Sequence, residues 1–318
     1  MLRVFAWENA KLACLPPEEA ERAAWFDLEN GVPEEVAFVT RHTGLALPGH
    51  SDLTEIETSS RLATDGPVLT LSLPIVTRTS DGLQAGVCGF VLAPEVLVTI
   101  RFTSSAVFQQ FPAQPHAIAA PAPAFIFVSL LEAIVDRQAD ALEALRNELD
   151  QLSHKIFHHR LGGRARTTEL ELQAMLITLG RSYDTISFLR DSQLGVARIA
   201  PYAATATGWI PKAARHRLDS VQKDVSSLNE YSTHLTDKVQ FLQDSTLGLI
   251  NIAQNALIKV LTVVSIAGIP PTLIAGIYGM NFHDMPELSW TYGYPYAWAF
   301  MIFSAVAPLL WFRKKGWI

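Results

Sequence analysis

VLTVVSIAGIPPTLIAGIYGM, from Val260 to Met280, is a run of 21 residues without a charge. At about 1.5 Å per helical residue it covers the roughly 30 Å hydrocarbon core of a bilayer. Asn281 and a short polar loop follow, and then a second uncharged run from Pro295 to Phe312, with Trp290 to Tyr294 as its interfacial flank. Two adjacent membrane spans are therefore expected near the C-terminal end, over 258–281 and 295–313. A loop over 282–294 joins them and a basic tail, 314–318, closes the chain.

Positive charge sets the expected orientation. Lys259 precedes the first span and Arg313, Lys314 and Lys315 follow the second, whereas the loop from Asn281 to Tyr294 has no Lys or Arg. By the positive-inside rule both chain ends are cytoplasmic and the loop is external. Trp290, Tyr292, Tyr294, Tyr296, Trp311 and Trp317 suit aromatic belts at the two interfaces. Arg3 and Glu8 interrupt the apolar start, so no signal peptide is expected there.

About 255 residues precede the first span, enough for a substantial folded core. The net charge of −6 disfavours nucleic acid as a partner and mildly favours cations. Cys14 and Cys88 lie on the side assigned to the cytoplasm, where thiols stay reduced, and their spacing fits no metal site.

Residues 1–122 are expected to form an α+β cytoplasmic domain. Leu2–Trp7, Trp25–Leu28, Val68–Val76, Gly86–Leu92 and Val96–Phe102 are rich in strand formers. Pro33–His42 and Ser51–Ser60 look helical, the second with Ser51 as N-cap and Glu55 in its first turns. A Pro/Ala segment, Pro112 to Pro123, leads into a helical hairpin over 123–210. Its first helix carries Leu131, Leu142, Leu145, Leu149, Leu152 and Ile156, and stops near Leu161. Its second runs from about Thr168 to Val196, with a break over Pro201 to Pro211.

The third helix is expected to be one rod from Arg215 to Met280, about 100 Å long, comprising a stalk over 211–257 and the first span. Heptad positions from Leu218 to Ala256 are apolar at ten of twelve places, a coiled-coil-like stripe. A different face carries Asp244, Asn251, Asn255, Ile258, Thr262, Ser265, Ile269, Thr272 and Gly276 at three- and four-residue spacing. Polar groups facing lipid cost free energy, so this face belongs against protein or water. Two spans cannot enclose a channel alone, and a ring of identical subunits with this face inward is the economical arrangement.

Pro270 and Pro271 each remove a backbone donor, leaving the carbonyls of Ile266 and Ala267 without helical partners. Water or a hydrated ion along the path would offset that loss. Mg²⁺ gives up its waters reluctantly. A ring of Asn281 carboxamides at the outer end could accept hydrogen bonds from its water shell without stripping it, and Asn251 and Asn255 could repeat this at the inner end. Asp244 attracts cations at the cytoplasmic vestibule. Ile258, Leu261 and Ile269, with Leu247 below them, supply constrictions that could close by dewetting, or simply pack helix against helix.

Tyr278-Gly-Met-Asn-Phe282, Met285-Pro-Glu-Leu288, Trp290, Gly293-Tyr-Pro295 and the basic end Lys315-Gly-Trp-Ile318 together resemble the CorA family of magnesium and cobalt transport proteins. Asn251-Ile-Ala-Gln-Asn255, Trp25-Phe-Asp-Leu28 and Thr54-Glu-Ile-Glu-Thr58 are similar to the family as well. The resemblance implies a funnel-shaped homopentamer in the cell (inner) membrane, embedded in lipid, with a long pore-lining helix. It implies passive influx of Mg²⁺, with Co²⁺ and Ni²⁺ as further substrates, and no enzymatic chemistry. No cofactor is implied; Mg²⁺ is substrate and regulatory ligand. Gly279, Met280 and Asn281 would form the selectivity entrance, and Thr272, Leu261, Ile258, Asn255, Leu247 and Asp244 would line the way inward.

His283 stands where many relatives have an acidic residue, leaving Asp284 and Glu287 to attract external cations. The hairpin tip is basic here, with Lys155, Arg160, Arg164 and Arg166. The best-placed position for regulatory metal sensing on the stalk is Ser220, so Asp219 or Asp224 would have to substitute. Two other functions compete: a zinc transporter on the same scaffold, with or without proton coupling, and a membrane-anchored coiled-coil sensor. Met280 before the Asn favours the magnesium form. The sensor leaves the polar stripe unexplained. No P-loop, nucleophile elbow or metalloprotease motif points to an enzyme.

Overall fold

The computed structural model describes residues 1–8, 11–55, 61–79, 82–113, 122–158, 169–281, 283 and 285–317. The chain divides into two compact units, one of residues 1–165 with 175–242 and one of 166–174 with 243–318.

In the first unit, strands β1 (Leu2–Glu8), β2 (Lys11–Leu15), β3 (Trp25–Glu29), β4 (Leu62–Asp65), β5 (Val68–Thr79), β6 (Gly82–Leu92) and β7 (Leu97–Arg101) form one sheet. Its order is β2-β1-β3-β7-β6-β5-β4, with β3 and β7 parallel and every other pair antiparallel. The five strands expected from sequence are all present. Two more, β2 and β4, complete the edges, and both are short and partly exposed. The turn from β4 to β5 needs a left-handed residue, which Gly66 supplies at φ 56°.

Strand alternation gives the sheet two buried faces. One face, with Val4, Phe26, Leu28, Val91, Val98 and Ile100, is covered by Val39 of α1 (Pro33–Thr43) and Leu53 of α2 (His50–Thr54). The expected helix Ser51–Ser60 is thus corrected. It starts one residue earlier, and Gly49, not Ser51, is its N-cap, its N–H bonded to the Asp52 carboxylate at 2.8 Å. It ends at Thr54. Residues 56–60 lie outside those described.

The other face, with Trp25, Leu69, Leu71, Leu73 and Phe90, packs on a helical layer. A short α3 (Ala106–Gln110) leads to α4 (Pro123–His158), α5 (Glu169–Ala206) and α6 (Lys212–Tyr278). Helix α5 lies so close to β5 that a Cβ at Gly195 would come within 2.8 Å of the Leu73 side chain.

Ion pairs fix α4 parallel to α6: Arg217 donates to Glu132 at 2.8 Å and to Ser129 at 2.7 Å, and Lys238 pairs with Asp150. Helix α5 returns between them in the hairpin sense. Gln138 donates to Ser192 at 2.8 Å and Ser232 to Gln193 at 3.1 Å, in a buried polar seam. The heptad stripe of α6 is buried at Leu218, Val221, Val225, Ser232, Leu235, Val239 and Leu242. The hairpin tip, including Arg160, Arg164 and Arg166, lies outside the described residues.

The expected break at Pro201 is also corrected. Helix α5 continues through Pro201 to Ala206, and the true break covers 207–211. An interior proline costs about 3 kcal/mol. Here Ile199, Ala200, Ala203 and Ala204 are buried around it, and that packing holds the helix together. Arg215 then donates to the free carbonyls of Thr207, Gly208 and Ile210 at 2.9–3.2 Å.

At the centre of the sheet lies a charge network. Asp27 and Arg101 are both fully buried and joined by two hydrogen bonds, of 3.1 and 2.8 Å. Asp27 also accepts from Thr99 at 2.8 Å and from Arg3 at 3.1 Å, and Trp25 donates to Thr99 at 3.0 Å. Burial opposes the Arg101 charge, but Asp27 and Glu29 more than offset it and hold the guanidinium above its ordinary pKa. Cys88, also buried beside it, is a free thiol whose pKa burial pushes up; Cys14 is free and exposed.

In the second unit α6 runs on to Tyr278, and α7 (Gly293–Lys314) follows a 3-10 turn at Pro286–Ser289. Both helices contain stretches long and apolar enough to cross a membrane, and only 6% of each such window is buried.

Candidate ion-conduction face

The polar stripe and the covered face of α6 lie on opposite sides. In an α-helix each residue advances about 100°. The stripe from Asp244 to Gly276 therefore shares one side, while Val263, Ala267, Pro270, Pro271, Ile274 and Tyr278 share the other. Ile274 is buried and the remaining five of that back face are half-buried. On the stripe, Asp244, Asn251, Asn255 and Thr272 are exposed, and Thr262 and Ser265 are half-buried. Leu247, Ile258, Leu261 and Ile269 expose between 45% and 67% of their surface. These open apolar side chains alternate with amides and hydroxyls along one side, and polar groups facing lipid cost free energy.

The hydroxyls on this side are oriented by their own helix. Thr262 donates to the Ile258 carbonyl at 2.8 Å, and Thr272 to the Ile269 carbonyl at 2.8 Å. With the proton committed to the backbone, each oxygen presents only lone pairs outward. That arrangement suits the water shell of a cation.

Pro270 and Pro271 do not belong to this side. The helix continues through both, and they sit on the half-buried back face. The carbonyls they free belong to Ile266 and Ala267, one turn earlier, of which Ile266 is 40% exposed and Ala267 half-buried.

The helix ends earlier than the expected Met280. Gly279 N–H still reaches the Ala275 carbonyl at 3.0 Å, but Met280 bonds only three residues back, to Ile277 at 3.2 Å. Tightening of the last turn in this way is common at helix C-termini. Gly279, Met280 and Asn281 thus form a turn at the mouth of the span, with Met280 47% exposed and Asn281 exposed. A Cβ at 279 would approach the Ala275 carbonyl oxygen at 3.1 Å, closer than ordinary van der Waals contact. Asp284 and the Glu287 side chain, expected to attract external cations, lie outside the described residues.

Aromatic side chains gather at the two ends of α7. Trp290 and Tyr296 meet at 5.6 Å and Tyr294 and Trp298 at 6.5 Å at one end; Trp311, Phe312 and Trp317 meet at the other.

Of the two proposed regulatory carboxylates, Asp224 acts on an acidic row of α4. On α4, burial first, and then the charges of Glu132, Asp140 and Asp224 of α6, push the Asp136 carboxyl above its usual range. Asp219 is not among those neighbours. Among the described residues no three His, Cys, Asp or Glu side chains are placed to hold a metal ion. The acidic row on α4 was missed from sequence, although Glu132, Asp136 and Asp140 recur every four residues and so share one face.

Residues 20–314 match the family described as CorA-like Mg2+ transporter protein. The magnesium transport protein CorA of Escherichia coli strain K12 is 31% identical over 327 aligned positions, covering all of each chain. Among solved structures, the complete CorA magnesium transporter of Methanocaldococcus jannaschii superposes with a TM-score of 0.78 at 20% identity, covering 100% of this chain and 99% of that one. The full-length CmaX protein superposes at 0.70 and 15% identity, covering 98% and 96%. Full-length agreement in sequence and in fold makes this chain a member of the CorA-like Mg²⁺ transporter family, and hence an ion transporter and not an enzyme.

Proposed function

We propose that the chain conducts Mg²⁺, with Co²⁺ and Ni²⁺ as further substrates, passively into the cell. Five copies would surround a common axis with the Asp244–Gly276 side of α6 inward and α7 outward. The observation that carries this reading is the segregation of side chains on one helix: amide and hydroxyl acceptors line one side, and apolar side chains including the buried Ile274 line the other. Asn281 carboxamides at the external mouth would receive the hydrated ion, and Thr272, Ser265, Asn255 and Asn251 would pass it inward. Ile269, Leu261, Ile258 and Leu247 would form the apolar constrictions and Asp244 the exit. The chain ends would both be cytoplasmic, and about 4.6 kcal/mol from a 100 mV potential acting on two charges would drive entry. No nucleotide is required.

Purified protein in liposomes should carry Mg²⁺ without a pH gradient. Zn²⁺ flux alone, dependent on protons, would reject this reading in favour of a zinc transporter.

Asp219 and Asp224 are proposed to sense cytoplasmic Mg²⁺ with carboxylates of a neighbouring copy, closing the path when the ion is plentiful. Added Mg²⁺ should then slow tryptic cleavage of the full chain severalfold, and Asp219→Asn with Asp224→Asn should remove the protection. Cleavage indifferent to Mg²⁺ in the unaltered chain would eliminate the sensing role.

A further inference from the structure

The last residues of α7 turn back on the helix. Gly316, at φ 72°, lies in the left-handed region, and the Trp317 N–H bonds to the Phe312 carbonyl at 3.0 Å. This hook stacks Trp317 on the buried Phe312 at 5.3 Å and 22°. The Lys259 ammonium, from the start of the first span, stands 5.9 Å from the centre of the Trp317 ring. Lys315 stands 5.8 Å from the Trp311 ring. Trp311 also packs on Phe312, at 5.2 Å, so one ammonium from each helix borders a single aromatic corner, with Arg313 and Lys314 next to it in sequence. None of these four cations takes part in an ion pair among the described residues.

We propose that this corner binds the phosphodiester headgroup of an anionic phospholipid in the inner leaflet. Lys259 and Lys315 would contact the phosphate, and Trp311 and Trp317 would form the interfacial platform beside it. Three physical points support the choice. Unpaired cations between helix ends on the cytoplasmic side are the usual anchor of acidic headgroups. Indoles prefer headgroup depth. Lys259 is one residue past Ile258 and so about 100° around the helix from the stripe, which leaves the corner beside the conduction face. The inference rests on the reading that α6 and α7 cross the bilayer with their inner ends cytoplasmic.

Native mass spectrometry of the detergent-purified full chain, titrated with phosphatidylglycerol or phosphatidylcholine, tests it. The unaltered chain should retain phosphatidylglycerol roughly 25-fold more tightly, about fivefold for each of the two lysines. Lys259→Gln with Lys315→Gln should weaken that binding by about fivefold per cation and leave phosphatidylcholine unaffected. Lys259→Arg with Lys315→Arg should retain most of it. Equal retention of the two lipids by the unaltered chain, no loss in the glutamine pair, or displacement of the lipid by inorganic phosphate would overturn the proposal. Mg²⁺ flux is read separately, so a chain that selects phosphatidylglycerol but carries no Mg²⁺ would sink the transport reading and leave this one standing.

Discussion

Asn281→Ala should reduce Mg²⁺ uptake by about a hundredfold in liposomes while leaving the fold and membrane insertion intact. The side chain is exposed beyond the last helical turn, so its removal opens no cavity. What it removes is a set of hydrogen bonds to a strongly polarised water shell. Bonds to charged partners contribute about 1.5–3 kcal/mol each, and every 1.4 kcal/mol is tenfold in rate or occupancy. Loss of one or two such bonds per ion at the narrowest approach therefore suffices. Asn281→Asp, of nearly the same size, should instead tighten cation binding and slow release. Flux against ion concentration separates the two: a lower maximal rate with weaker saturation for Ala, and tighter saturation for Asp. A sensor without a conduction path would tolerate either change, so wild-type flux in Asn281→Ala would end the channel reading.

The second large effect belongs to the sheet of the first unit. Asp27→Ala should destabilise the first unit by about 3–5 kcal/mol, a large part of an ordinary domain's stability. The reason is the partner left behind. Arg101 is fully buried, and without Asp27 its guanidinium keeps, among the described residues, Glu29 at 2.9 Å, the Thr103 carbonyl at 3.2 Å and the Phe108 ring at 4.7 Å. Thr99 loses its acceptor too. Replacing both members with apolar residues, Asp27→Leu with Arg101→Met, should cost much less than either single change, because no fully buried charge is then stranded; Arg3 and Glu29, which each lose a partner, are partly exposed to water. Urea unfolding of the full chain in detergent, followed by tryptophan fluorescence, distinguishes these outcomes. Trp25 lies within the network and reports on it directly.

Much of this architecture was legible in the chain because its strongest signals are periodic. The uncharged run Val260–Met280, the heptads of the stalk and the strand-forming runs each repeat over enough residues to dominate their surroundings. What escaped was short or locally contradictory. Lys11–Leu15 and Leu62–Asp65 are edge strands with one face in solvent, so their apolar pattern is incomplete. Pro201 looked like a stop because local propensity says so, and packing against the sheet overrides it. Ser51 lost the capping role because Asp52 reaches back to Gly49 and starts the helix one residue sooner. For the candidate face, the spacing of Asn251, Asn255, Ser265 and Thr272 already placed them on one side. The direction of the threonine hydroxyls required coordinates, since it depends on which backbone carbonyl each one reaches.

The parallel pairing of β3 with β7 has a consequence for the order of events during synthesis. Asp27 and Arg101 are 74 residues apart, and everything between them must leave the ribosome before they can meet. Until then, the first three strands carry an open edge and an unmatched carboxylate in their middle. Antiparallel pairing of β5 with β6 needs no such wait, because the two are sequence neighbours. Long-range pairing carries the larger loop-closure entropy and comes later. The nascent chain thus passes through an interval in which its N-terminal strands are the segment most in need of a chaperone, and emergence of Arg101 is the event that brings the interval to a close.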